Sequence, residues 1–504
     1  MDKVLSVILN EHNLYFFITE CNAGLTDSHI IVFNSEECSS LSAYATTALN
    51  EIKKYLEQHQ NLSRIFIVSN MSGVLALDSE DNLLSEFSDS RNVDFEESAA
   101  SLTELLNFGI EEDYALCRYH HFASINSPLL LKIKKITTLS GYITYSLTGN
   151  FYLGYSECSK LFPFCSKNKN YKKEFIASLI NENLPFNEFL SLLPNPCSMH
   201  NSENFISKGD KTTTVLPSQS LIGIVLQNSD NLYLYLGSKS VLGTKLEKPL
   251  QRPHRECQCL VTPEGLDACC IENPNGDADL NSYLDLLAEA AALISGNEID
   301  YKKSAELKND LIQKALDEDN YESSLIVYNQ TAKDPFSFMD EGRPLLIRHP
   351  GGKLKLCDLV TSHFLSMMVP LKLALRILKS EGAVLNEINL SGNSYIIIPK
   401  LQKLCADLFE LPVSVKPHLA ELKDIYRYTF DNKENCLTLS ESERIEPEDI
   451  GVKRAKRYLE RYVLCLGLER QAVKSFIKSS RRRDCSHSSH NTVRAVRHTA
   501  FPKQ

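Results

Sequence analysis

The chain has 504 residues, 43% hydrophobic and 23% charged, which excludes a disordered or fibrous protein and gives length for two large domains. Its formal net charge of −10 argues against general nucleic-acid binding. Apolar runs such as "RPLLIRH" and "SMMVPLKLALRIL" are short or interrupted by charge and proline, so no bilayer-spanning helix is expected.

The opening "MDKVLSVILNEHNLYFF" carries an early acidic residue and no small-residue cleavage site, poor material for a signal peptide. The expectation is a cytoplasmic protein with reduced thiols. "KVLSVILN", "LYFFITE", "SHIIVFN" and "RIFIVSN" are short β-branched and aromatic runs between polar turns, and "SLSAYATTALNEIKKYLEQHQ" before the last has helical spacing. This predicts a hairpin meander, a helix and a parallel strand. "DFEESAASLTELLNFGI" reads as a helix and opens a helix-rich stretch to about Leu193; strands are expected again at "SLIGIVLQN" and "NLYLYLGS".

After Thr244 the pattern restarts, with strands around Cys257 to Ile271, the helix "DLNSYLDLLAEAAALIS", the strand "SSLIVYN" and the helix "CDLVTSHFLSMMVPLKLALRILKSEG". "EINLSG" and a helix from Ile398 to Phe409 follow. Similar strand and helix sets in both halves predict a duplicated α/β architecture with mixed sheets, divided near Thr244 into residues 1–244 and 245–445. From about Glu446 the chain turns basic; residues 446–504 read as an amphipathic helix, then a tail after Ser479 without apolar periodicity. The run "RRR" is read as a solvated basic tail rather than a phosphate-binding arm.

Fifteen cysteines are scattered rather than framed. His254, Cys257, Cys259, Cys269 and Cys270 would converge if "HRECQCLVTPEGLDACC" folds as a hairpin, but CxC and CC are not the CxxC zinc knuckle. Core thiols on a strand pair, with no metal, are the expectation.

Several segments together carry a family resemblance. "KKITTLSGYITYSLTGNFYLGYSECSKLFPF" resembles the central segment of the FGGY carbohydrate kinases, and "FSDSR" stands in the place of their Trp-x-Asp-x-Arg. "LLPNPCS" matches their Leu-Leu-Pro turn, and "NSDNLYLYLGSKSVLG" matches the Gly-Asp-Asn block that ends in a Gly-Thr-Ser phosphate loop. "SLIVYNQTAKDPFSFMDEGRPLLI" and "INLSGNSYIIIPKLQKLCADLFELPVSV" are similar to the family's Gly-Glu-Arg and adenosine-side glycine segments, so the match runs from Met1 to about Leu439.

The resemblance implies two ribonuclease-H-like domains of the actin and hexokinase type around a cleft that takes ATP, magnesium and a sugar or polyol, with a homodimer as one possible assembly. It puts Asp230 at the catalytic base, where a carboxylate would accept the proton of the attacking hydroxyl. Asp89 and Arg91, with Met71 and Ser72 beside them, would bind the sugar. Gly237 and Ser238 would approach phosphate, and Gly392 and Asn393 would lie by the adenosine. Without the resemblance, each of these residues reads more simply: Asp230 as part of an Asn-Ser-Asp-Asn turn, Asp89 and Arg91 as a surface ion pair, Gly392 as a strand end.

The first strand departs from the family pattern. Ile8 stands at the aspartate of Asp-x-Gly-Thr, Asn10 at the glycine and Glu11 at the threonine. Isoleucine cannot organise a hard cation, and glutamate repels phosphate. The adenosine-side triple glycine is reduced to "LSGNS", and the chain has no tryptophan. Two functions are therefore weighed: an ATP-dependent sugar or polyol kinase with impaired activity, and a pseudokinase that binds sugar, nucleotide or a protein partner without turnover.

Overall fold

The structure, a computed structural model, describes residues 3–10, 13–21, 23–59, 61–70, 73–89, 95–181, 186–198, 205–208, 211–248, 257–295, 301–317, 325–337, 339, 342–349, 351–415, 420–430 and 443–487. The chain forms two compact units, Met1–Asn273 with Leu371–Glu448, and Pro274–Pro370 with Asp449–Gln504.

The first unit holds two six-stranded sheets built on one plan. In the first sheet β1 (Lys3–Leu9), β2 (Asn13–Glu20) and β3 (Gly24–Val32) form the expected antiparallel meander, and β4 (Arg64–Ser69) lies parallel to β1. Small pairs follow: β5 (Val74–Leu77) with β6 (Lys135–Thr138), β7 (Tyr152–Gly154) with β10 (Asn195–Cys197), and β8 (Phe164–Cys165) with β9 (Asn170–Tyr171). The hairpin β11 (Phe205–Lys208) and β12 (Lys211–Ser220) completes the order β11-β12-β4-β1-β2-β3, with β12 parallel to β4.

The second sheet repeats the scheme. β13 (Leu232–Leu236), β14 (Ser240–Lys245), β15 (Gln258–Val261) and β16 (Asp267–Asn273) are antiparallel neighbours. The second unit contributes the pair β17 (Leu325–Tyr328) and β18 (Leu345–Arg348). β19 (Ile388–Gly392) lies parallel to β13 and β20 (Val413–Val415) parallel to β19, so the second sheet's order is β15-β16-β14-β13-β19-β20. In each sheet an antiparallel meander is followed by two parallel strands on the far side of its first strand, and the duplication predicted from sequence is present. Thr244 falls inside β14, and the second sheet already begins at Leu232.

The helices are α1 (Leu41–Gln58), α2 (Ser85–Ser88), α3 (Glu96–Leu106), α4 (Ala115–Ser124), α5 (Leu129–Lys132), α6 (Leu139–Thr148), α7 (Tyr155–Cys158), α8 (Glu174–Asn181) and α9 (Leu221–Gln227). They continue with α10 (Ala278–Ser295), α11 (Tyr301–Asp317), α12 (Leu356–Ser380), α13 (Pro399–Phe409), α14 (Ala420–Thr429) and α15 (Asp449–His487). One face of the first sheet, through Leu5, Val7 and Phe16, packs on Tyr44, Ala48 and Ile52 of α1. Its other face, through Ile8, Phe17, Phe66 and Val68, packs on α9 and α14, which also meet Tyr233, Ala268 and Cys270 of the second sheet. Two helices thus fill the layer between the sheets.

Four expectations change. "SLIGIVLQN" is the helix α9, because Ser220 caps its N-terminus by accepting from the Gly223 amide at 3.2 Å, and an apolar run buried on all sides carries no period that separates strand from helix. The helix α11 was not anticipated. Pro370 does not break α12, which is long and apolar enough to cross a bilayer; 83% of its apolar window is buried in the protein, through residues such as Phe364, Met367 and Met368. Finally, α15 continues past Ser479 to His487.

Candidate functional site

In open α/β sheets, ligands bind beyond the carboxyl ends of the parallel strands. In the first sheet those ends are Asn10 after β1, Asn70 after β4 and the Gln219–Ser220 turn into α9; in the second they are Gly237 after β13 and Asn393 after β19.

The first end is closed. Ile8 is 8% exposed and belongs to the apolar layer with Phe17, Phe66, Val68 and Leu221. The Asn10 amide donates to the Asn13 carbonyl at 3.0 Å, and the Asn10 carbonyl accepts the Tyr44 hydroxyl at 2.7 Å. Burial pushes the Tyr44 phenol well above its ordinary pKa, so it stays protonated and keeps donating. Glu11 lies outside the described residues, as do Met71, Ser72, Arg91 and His254.

Asp89 follows α2, and its carboxylate accepts from the Ser42 amide at 2.9 Å, in the first turn of α1. The residue that the resemblance gives to sugar binding thus satisfies an orphan N–H of a helix start and is favoured there by the helix dipole. Arg118, from α4, donates to the Phe87 and Ser88 carbonyls at 3.2 Å each and lies over the Phe95 ring. Burial pulls its guanidinium below the usual range, while the nearby Asp113 and Asp89 charges oppose that shift. Arg118 is a member of this cluster that sequence reading missed, because nothing in "ALCRYHH" ties it to a segment some thirty residues earlier.

At the third end lies a buried polar network, also unforeseen. The Gln219 carbonyl oxygen accepts from the Ser156 amide at 3.1 Å and the Ser156 hydroxyl at 2.6 Å, and its NH2 donates to the Tyr428 hydroxyl at 3.2 Å. The Ser156 hydroxyl in turn accepts from the Ser220 amide at 2.9 Å. Gly154 permits this contact, since a Cβ there would lie 2.2 Å from the Gln219 amide nitrogen. Ser218, Gln219 and Ser220 are all buried. The available sequence signal was the polar run "PSQS" ahead of an apolar stretch, a helix-start pattern.

In the second sheet the structure brings Gly237, Ser238, Gly392 and Asn393 together, since Leu236 is paired with Gly392. Gly392 has φ +147°, and a Cβ on it would lie 2.0 Å from the Leu236 carbonyl oxygen, so only glycine fits. The Asn393 amide donates to that same oxygen at 3.0 Å, and the Gly237 amide donates to the Lys239 carbonyl at 3.0 Å. Ser238 is exposed at the β13–β14 turn.

Asp230 is not brought to this group. It lies in the turn before β13, its side chain 91% exposed and 2.7 Å from the Lys245 ammonium. Gly237 follows the other end of β13, on the order of 20 Å away at the rise of an extended strand. The amino end of β13 also pairs away from the carboxyl edge, with the Leu232 amide donating to the Glu387 carbonyl at 2.9 Å.

Magnesium does not fit these residues. Among the described residues no three His, Cys, Asp or Glu side chains converge to hold a metal ion, and Ile8 offers apolar carbon where a hard cation needs oxygen. The expected cysteine hairpin is present, with Cys259 opposite Cys269. Its hydrogen bond with Cys269 and burial push the Cys257 thiol up, and burial does the same for Cys259 and Cys270, which favours the thiol form at each; Cys257 and Cys270 are buried and Cys259 is half-buried.

This duplicated arrangement is the fold of the FGGY carbohydrate kinases, two-domain proteins of the actin and hexokinase type. The structure is similar to gluconate kinase from Lactobacillus acidophilus (TM-score 0.72, 13% identity, 94% of this chain and 99% of that one) and to xylulose kinase from the same organism (0.70, 13%, 92% and 97%). It is also similar to Plasmodium falciparum glycerol kinase with ADP (0.68, 11%, 92% and 98%). Neither a protein-family model nor a curated protein matches the sequence.

Proposed function

We propose that this chain is a carbohydrate-kinase homologue that binds a sugar or polyol, and a nucleotide weakly, with phosphoryl transfer impaired or lost. The closed turn after β1 carries this reading. Where the resemblance requires a metal-holding carboxylate and phosphate-facing amides, Ile8 is packed in apolar surroundings and the Asn10 amide is bonded to Asn13. Transfer of a phosphoryl group depends chiefly on positioning and on electrostatic stabilisation, and both are weakened by those replacements. The exposure of Asp230 and its ion pair with Lys245 weigh against its role as general base. Asp89 and Arg118 favour retention of polyol binding, because they bring a carboxylate and a guanidinium close together.

The test is calorimetric titration of magnesium-ATP and of xylulose, gluconate and glycerol into the protein, followed by a phosphate-transfer screen. Binding of one polyol, lost in Asp89→Ala and kept in Asp230→Ala, without turnover in either, is the expected result. Turnover that disappears in Asp230→Ala would instead establish an active kinase with Asp230 as its base. No binding of any of these ligands would favour a pseudokinase that acts through a protein partner.

A further inference from the structure

The strand β3 ends the first sheet, and among the described residues only β2 pairs with it. It is nine residues long, and all of Leu25–Ile30 is exposed, as is Val32. Ile30 is 53% exposed and Val32 72%. Such an edge presents a row of unpaired N–H and C=O groups, and proteins usually blunt it with lysine, proline or brevity. "GLTDSHIIV" has neither lysine nor proline. Its one irregularity is the register shift between Ile18 and Thr19, which leaves Thr26 as a bulge.

We propose that this edge pairs with β3 of a second copy of the chain, antiparallel about a two-fold axis at Ser28, so that the two first sheets join into one. Self-complementarity is the argument. A two-fold perpendicular to a sheet places residues of one face opposite each other, so only registers with an even residue sum are open. With the axis at Ser28, each Asp27 faces the partner's His29, both on the face of β3 that continues Phe16 and Ile18 of β2. Centring on His29 would put the two imidazoles together, and centring on Ile30 would pair His29 with an isoleucine. The Ser28 register alone among these matches an acid with a base, twice per dimer. Asp27 is accessible for this, with its side chain 52% exposed; among the described residues its neighbours are His59, at 3.8 Å, and the Tyr55 hydroxyl. On the other face Ile30 lies opposite Tyr15 and Ser28 opposite Phe17, so joining would also extend an apolar and aromatic row across the two-fold.

The register makes the test specific. Opposed residues of an antiparallel pair have Cα atoms about 4.5 to 5.5 Å apart, within disulfide reach. Ser28→Cys should therefore form a covalent dimer with oxidised glutathione. Ile30→Cys should not, because two Ile30 residues would be about 13 Å apart in this register. Wild-type protein under the same oxidant controls for the native thiols. In light scattering after size exclusion, Asp27→Lys and His29→Asp should each weaken the dimer about tenfold, and Asp27→Lys with His29→Asp together should restore it. Thermal melting of each variant separates loss of pairing from loss of fold. Equal cross-linking at Ser28 and Ile30, a dimer indifferent to the charge changes, or a monomer at every concentration would overturn the proposal; the last outcome would leave the edge to a foreign strand. None of these readouts depends on sugar or nucleotide binding.

Discussion

Gly392 and Leu236 show how one missing carbon fixes the end of a sheet. A methyl at position 392 would meet a backbone oxygen at 2.0 Å, and the φ of +147° is itself closed to most side chains. Gly392→Ala should cost more than about 2 kcal/mol in urea unfolding, through backbone displacement rather than any nucleotide effect. Asp89→Ala should cost about 1 kcal/mol by removing the acceptor of the Ser42 amide, whereas Asp230→Ala should change stability by less than about 0.5 kcal/mol, because its ion pair is exposed. At this scale the sequence exposed which residues are chemically capable but not what they touch. The partner of Asp89 lies 47 positions away, and no local pattern connects the two. Asp230 illustrates the converse: it stands in a segment that resembles a motif, yet the strand β13 between it and Gly237 places the two at opposite ends of an element.

Strands with clear alternation or β-branched runs were legible, and so were long amphipathic helices such as α1 and α13. The seven-residue α9 was not, because burial against both sheets removes the polar face that gives a helix its period. Ser220 caps its start locally, but the Gln219 contacts that hold that start in place reach Ser156 and Tyr428, which no sequence window contains. Gln219→Leu keeps the side-chain bulk and strands the Ser156 amide and the Tyr428 hydroxyl, so chemical denaturation should report a loss of about 2 kcal/mol or more. Gln219→Glu would place a charge in the same buried position and should cost more still.

For the whole molecule, the duplication was legible because each sheet repeats the same order of meander, helix and parallel strand, while the division into compact units depends on which distant segments pack, as with α15 beside β17. There Asp334 is buried, and desolvation raises its carboxyl above the ordinary aspartate value of 3.8 despite the Phe336 amide and Gln330 NH2 donors. The folded state therefore binds that proton more tightly than the unfolded chain does. The contribution is fully present below the unfolded value and is lost as pH rises through the raised folded value. Asp334→Asn cannot titrate, and its unfolding free energy should decline less over that window, as measured by urea titrations at stepped pH.

The thiols of Cys158, Cys270 and Cys405 are all raised by burial, and all three are inaccessible in the native state. A thiolate is the reactive form, so an alkylating reagent meets these sulfurs only when their surroundings open. They make the chain its own clock: mass spectrometry of pulse-alkylated peptides would time the opening of α7, the second sheet and α13 separately.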